Sequence, residues 1–169
     1  MPSAAEPRFT IRPVRRDEIE AVLDLLEEVA AERRWIASET PIPRERWREG
    51  FERDFEGDHA LFICAADSED RIVGQLDARG RRDRPAEIGM AVTASWRGKG
   101  VGTALMQACV DWARERGIHK LALQVWPHNE AAIRLYEKFG FEREGVLRAH
   151  YRRQNGELWD AIVMGRLVE

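Results

Sequence analysis

The chain has 169 residues, 44% apolar and 34% charged, with 27 Lys and Arg against 30 Asp and Glu for a net charge of −3. This composition suits one domain with a buried core, expected over residues 8–169 behind a flexible 1–7, and excludes a disordered or fibrous chain. The slightly acidic balance offers nucleic acid no general attraction, and no apolar run is long enough to span a bilayer. The start of the chain lacks the apolar stretch of a signal peptide, so a cytoplasmic location is expected.

Residues 9–14 read as a first strand. Asp17 followed by Glu20 resembles a capping box, and Ile19, Val22, Leu23, Leu26, Val29 and Ala30 then form one helical stripe. After a segment broken by Pro41 and Pro43, Trp47, Phe51 and Phe55 recur every four residues on a second helix. Residues 60–66 and 72–78 flank a polar turn as an antiparallel hairpin. The basic stretch 80–85 reads as a loop and 86–93 as a fourth strand. Residues 97–102 form a glycine-rich turn into a helix that Gly117 ends. A fifth strand at 121–126 precedes a helix capped by Asn129 and closed by Gly140. Asn155-Gly156 then marks a terminal hairpin. The order β-α-α-β-β-β-α-β-α-β-β predicts a mixed α/β (α+β) sheet, because strands arrive in antiparallel groups and only some are joined through helices.

The strand leading through Gly98, Gly100 and Gly102 into a helix carries the clearest chemistry. Glycines there let backbone N–H groups at a helix N-terminus approach an anion, which predicts a phosphate site; a plain glycine-rich turn is the alternative. The spacing fits neither a Walker A loop nor G-x-G-x-x-G with a carboxylate some 20 residues on. Cys64 and Cys109 sit in apolar stretches without ligand spacing, so reduced core thiols and no metal are expected.

Two segments carry a resemblance. RGKGVG at 97–102 resembles the Q/R-x-x-G-x-G/A pyrophosphate loop of the GCN5-related N-acetyltransferases, and NEAAIRLYEKFGF at 129–141 is similar to their N-x-x-A-x-x-L-Y-x-x-x-G-F segment. The element order is also that family's. Small-amine, phosphinothricin-type and ribosomal-protein-alanine-type members are the most similar in motif. The resemblance implies a sheet splayed between its fourth and fifth strands. It also implies acetyl-CoA as co-substrate, with its pyrophosphate on the amides of Arg97, Gly98, Lys99, Gly100, Val101, Gly102 and Thr103. The pantetheine arm would run beside Met90, Ala91 and Val92, with Asn129 and Ala132 also against it. A backbone N–H near Ala91 or Val92 would stabilise the developing oxyanion.

An amine with a pKa near 10 is mostly protonated at neutral pH and must lose a proton to attack a thioester, while the departing thiolate must gain one. Tyr136 matches the family's tyrosine and is the candidate acid; a core tyrosine beside Leu135 and Phe139 is the other reading. Glu87, in a position similar to the catalytic glutamate of phosphinothricin-type members, is the candidate base. The alternatives are a strand-edge carboxylate paired with Arg82 or Arg84, and water as base. Gln124 stands where ribosomal-protein-alanine-type members carry a catalytic glutamate, which argues against action on a peptide N-terminus. Trp35 and Glu39 fall where the family shapes its acceptor pocket. Arg81, Arg82 and Arg84 with Lys99 and Arg134 form a possible site for the 3′-phosphate of CoA, or a solvated loop. The expected partner is a small-molecule or peptide amine, with a homodimer implied by the family. A non-catalytic acyl-CoA-binding module is the competing class.

Overall fold

In the computed structural model, which describes residues 8–81 and 83–169, strand alternation sorts the core onto two faces of one sheet. Along β2 (Ala60–Asp67), Phe62 and Cys64 enter one apolar cluster and Ile63 and Ala65 the other, as the two-residue period of a pleated strand dictates. The expected flexible N-terminus at 1–7 and Arg82 lie outside the described residues.

The sheet has seven strands in the order β1-β2-β3-β4-β5-β7-β6. They are β1 (Phe9–Pro13), β2, β3 (Ile72–Arg81), β4 (Arg84–Val92), β5 (Lys120–Val125), β6 (Glu142–Arg152) and β7 (Leu158–Leu167). Every neighbouring pair is antiparallel except β4 and β5. That parallel pair is in register only at Ala86–Leu121 and Glu87–Ala122. Beyond Glu87 the two strands part, giving the splay that the resemblance implies. Helices α1 (Ile19–Ala31) and α2 (Arg44–Asp54) cover one face, where Phe51 stacks on Phe62 at 4.4 Å between ring centroids. Helices α3 (Val101–Glu115) and α4 (Glu130–Lys138) cover the other, around the fully buried Leu76, Leu105, Met106 and Leu121. Burial of each such side chain contributes about 1.5–3 kcal/mol.

Two local expectations are corrected. The first helix is not started by an Asp17/Glu20 box. A 3-10 turn at Arg16–Glu18 precedes it, and Glu18 accepts the Arg15 N–H at 2.8 Å while also pairing with Arg12. Glu20 is engaged instead by Arg44 and Arg48 of α2. The basic stretch 80–85 is also shorter than a loop: β3 continues to Arg81 and β4 begins at Arg84. There Gly80 admits the neighbouring strand, since a Cβ on it would lie 2.6 Å from that of Ala86.

Candidate active site

The parting of β4 and β5 opens a cleft of about 560 Å³. Its walls come from four places: β4, the turn into α3, the end of β5 with the face of α4, and the segment between α1 and α2.

The floor is read from backbone alternation. Thr93 N–H donates to Val73 O at 3.0 Å, and β3 and β4 stay in regular register from Gly74–Val92 to Arg79–Glu87. Alternate residues of an antiparallel strand send their polar groups to opposite sides, so the Gly89 and Ala91 amides turn to β3 and those of Met90 and Val92 turn into the gap. Of the two positions expected to supply an oxyanion donor, Val92 therefore has the free geometry and Ala91 is spent on the sheet.

At the end of β4 the chain makes a 3-10 turn (Ala94–Trp96) and enters α3 through Gly98 and Gly100, whose φ values of +71° and +84° lie in the region that favours glycine. Ala104 makes the first helical bond, to Gly100 O at 3.0 Å. The amides of Val101, Gly102 and Thr103 therefore point out of the helix end without intrahelical acceptors. Gly102 lies against Leu135 and Met90, and a Cβ there would come within 3.1 Å of Leu135 Cδ2. Exposed donors at the positive end of a fifteen-residue helix, closely approachable because of the glycines, fit a pyrophosphate.

The expected cofactor residues fall into two groups. Met90, Ala91, Val92, Arg97, Gly98, Gly100, Val101, Gly102, Thr103, Asn129 and Ala132 all line the cleft, whereas Lys99 does not and lays its ammonium over the Trp96 ring at 5.4 Å. Arg97 donates its amide back to Ala94 O, and each nitrogen of its guanidinium makes a bond elsewhere: Nε to Val92 O at 3.0 Å, Nη1 and Nη2 to the two oxygens of Glu32 at 2.8 and 2.6 Å. Asn129 accepts the Ala132 N–H at 3.3 Å as the cap of α4. The grouping of Arg81 and Arg84 with Lys99 and Arg134 is corrected. The first two flank the start of β4 and the other two lie beyond its end, and the eight residue-to-residue steps of this nine-residue strand separate its ends by roughly 26 Å. Arg82, the remaining member, is outside the described residues.

Tyr136 is buried on α4 and lines the cleft, its ring 5.8 Å from that of Phe141. Loss of hydration pushes its phenol up to about 12, so it keeps its proton across the physiological range. It belongs to the core and to the cleft at once.

The far end of the cleft is aromatic and amide-like. Tyr151 and Gln124 meet there, Tyr151 O–H donating to Gln124 Oε1 at 2.7 Å. Behind them Trp126 packs edge-on to Tyr151 and Trp159, and His128 sits between Trp159 and Trp35, donating from Nε2 to Arg34 O at 2.8 Å. Trp35 forms part of the wall, as expected. Glu39 does not line the cleft: its carboxylate accepts the Gln154 N–H at 2.8 Å and faces Arg153 at 3.6 Å. Arg153, missed in the sequence, is 3% exposed. It lies over Trp159 and Trp126 and donates to Ala37 O, clamping the terminal hairpin to the α1–α2 segment.

Glu87 lines a second depression with Arg53, Arg79, Arg81 and Arg84. Arg79 is paired with Asp54 and Asp77, whereas Arg53, Arg81 and Arg84 have no carboxylate partner among the described residues. Tyr151 is raised above the ordinary phenol range by burial and, secondarily, by the negative charge of Glu87. Glu87 lines this depression and not the cleft; Ala122 of the depression and Gln124 of the cleft share one face of β5.

A seven-stranded sheet splayed at its one parallel pair, with a glycine-gated helix end in the gap, defines an acyl-CoA-type transferase fold. Residues 22–141 match the Acetyltransferase (GNAT) family, and the chain belongs to that family. It is 27% identical over 163 residues to the putative phosphinothricin acetyltransferase YwnH of Bacillus subtilis, covering 94% of this chain and 98% of that one. It is 36% identical over 104 residues to the L-amino acid N-acetyltransferase AaaT of Escherichia coli, covering 57% and 62%. A solved phosphinothricin acetyltransferase of Sinorhizobium meliloti in complex with AcCoA superposes with a TM-score of 0.84 at 21% identity, covering 95% and 88%, and shares the fold. Among the described residues no helix is long and apolar enough to cross a membrane, and no group of three His, Cys, Asp or Glu is placed to hold a metal.

Proposed function

We propose that the protein transfers an acetyl group from acetyl-CoA to the amine of a small, amino-acid-like acceptor by direct attack. The observation that carries this reading is one uninterrupted cleft running from the free amides of Val101 to Thr103, past Tyr136, to the Tyr151–Gln124 pair. The thioester supplies an activated acyl carbon; the chain must hold it, orient it and move two protons.

The α3 amides would hold the pyrophosphate, and the inward edge of β4 at Met90 and Val92 would align the pantetheine arm by strand-like pairing. The Val92 N–H is the donor free to meet an oxyanion. Tyr136, which stays protonated, would give its proton to the leaving thiolate. Glu87, directly or through water, would take the proton that the ammonium must lose. The arginines around Glu87 without carboxylate partners favour an acceptor carrying an anionic group beside its amine, and the aromatic wall favours an apolar side chain. The names of the two relatives point the same way. The free, buried thiols of Cys64 and Cys109 suit a reducing compartment such as the cytoplasm.

The test is release of CoA thiol with a panel of L-amino acids, a polyamine and an alanine-ended peptide. The reading expects turnover with amino acids, weakened by Glu87→Gln. Acetyl-CoA binding without thiol release for any amine would leave a binding module in its place.

A further inference from the structure

The guanidinium of Arg97 is the unexpected feature of the phosphate loop, because both faces of its fork are committed before any ligand arrives. Its two terminal nitrogens chelate Glu32, at the C-terminal end of α1 and 65 residues away in the chain. Glu32 Oε2 also accepts the indole N–H of Trp35 at 2.7 Å. Trp35 in turn has two guanidiniums over its ring, Arg34 at 4.9 Å and Arg97 at 5.5 Å from the centroid. One carboxylate thus grips the donor loop and the acceptor wall together. These bonds hold Glu32 below the usual carboxylate range, Arg97 contributing most and Trp35 adding to it.

The arrangement is more specific than a surface ion pair. Such a pair between flexible side chains is worth little, but this one is bidentate, has Arg97 Nε pinned to Val92 O, and is about one-third exposed on both sides. Bidentate arginine–carboxylate geometry fixes direction as well as distance. With that fork in place the indole of Trp35 has a fixed acceptor, which holds the residue in its place on the cleft wall.

From this junction we infer that Glu32 is a positioning residue for the acceptor: it sets Trp35 as the wall of the acceptor site by anchoring it to the loop that holds the donor. The inference rests on the acetyl-transfer reading for what occupies the cleft, and on the geometry alone for the coupling. It gives Arg97 a role that its place in the phosphate motif does not announce. The loop backbone serves the donor while the side chain serves the acceptor.

The measurement is calorimetric binding of L-phenylalanine to the CoA-loaded protein, beside binding of acetyl-CoA to the free protein, for wild type, Glu32→Gln and Trp35→Phe. Loss of one charge-assisted hydrogen bond corresponds to about tenfold or more in affinity. Both variants should weaken L-phenylalanine by about that factor and leave acetyl-CoA within roughly threefold. Glu32→Asp keeps a carboxylate that can accept the indole N–H and pair with Arg97, and should recover part of the loss seen in Glu32→Gln. Unchanged acceptor binding in both variants, or acetyl-CoA weakening in step with the acceptor, would overturn the inference. A second readout needs no acceptor: the indole N–H resonance of Trp35 should move in Glu32→Gln, and an identical resonance in both proteins would also overturn it. Failure of wild type to bind L-phenylalanine counts against the acceptor class proposed above, while the indole comparison still decides the role of Glu32.

Discussion

Tyr151 reaches across β7 to donate a hydrogen bond from its phenol to Gln124, although their strands, β6 and β5, are not neighbours in the sheet. The bond fixes two things at the end of the cleft. Gln124 Oε1 is occupied, so its NH2 group is left to donate, and the Tyr151 oxygen keeps its lone pairs for a ligand. A glutamate at position 124 would make this end anionic; glutamine and tyrosine make it a neutral hydrogen-bonding pair.

Tyr151→Phe should therefore act on the acceptor. Removing the phenol leaves the exposed Gln124 Oε1 to water, a net loss of about 0.5–1.5 kcal/mol. We expect the acceptor KM to rise severalfold with acetyl-CoA affinity unchanged. Parallel losses for both substrates in steady-state kinetics would contradict this.

Tyr136→Phe should lower kcat by about a hundredfold or more, the usual contribution of a positioned acid, with acetyl-CoA affinity nearly intact. Because the phenol is held at about 12, it should contribute no ionisation to the kcat profile below pH 10.0, the ordinary phenol value. Equal turnover in the variant would remove Tyr136 from the mechanism and leave it as core packing against Phe141.

Asn129 has two separable roles. Its Oδ1 caps α4 by accepting the Ala132 N–H, and the residue lines the cleft, where the family resemblance expects the cofactor arm. Asn129→Ala should lose about 1 kcal/mol of stability for the cap and also weaken acetyl-CoA. Asn129→Asp should restore the cap without restoring the affinity. Melting curves and calorimetry on the two variants separate these, and full recovery of affinity in Asn129→Asp would confine Asn129 to capping.

Stability should fall on the alkaline side. Burial raises Cys64 to about 11, Cys109 to about 12 and Tyr136 to about 12, against ordinary values of 9.0 for the thiols and 10.0 for the phenol. Folded values above unfolded ones mean that this stability is complete below pH 9.0 and is lost as pH rises through the folded values. Each titrating group adds a slope of about 1.4 kcal/mol per pH unit. Cys109→Ala should give a shallower decline in melting temperature above pH 9.0 than wild type; identical slopes would contradict the assignment.

The element order was legible because each signal was local: alternation in 60–66, the four-residue recurrence of Trp47, Phe51 and Phe55, Asn129 at a helix start, Asn155-Gly156 at a hairpin. The glycine turn was legible for the same reason. The side-chain partners were not. Arg97 read as a phosphate residue and Glu39 as an acceptor carboxylate, because nothing in the chain reveals that Glu32 or Arg153 lies beside them after folding. Arg81 and Arg84 read as one group with Lys99 and Arg134 although the expected fourth strand already lay between them, and the length of an extended strand keeps its two ends apart. Arg153 gave no signal at all, since an arginine next to a turn is ordinarily solvated.

The central claim is that the gap between β4 and β5 receives acetyl-CoA on the free amides of α3. The most direct measurement is the melting temperature with excess acetyl-CoA, against ATP and NAD at the same concentration. A ligand at 100 times its Kd stabilises the fold by about 2.7 kcal/mol, several degrees for a chain of this size. We predict that shift with acetyl-CoA alone, reduced in Gly102→Val, whose side chain would crowd Leu135 and Met90. No shift at millimolar acetyl-CoA, or an equal shift with ATP, would contradict the assignment.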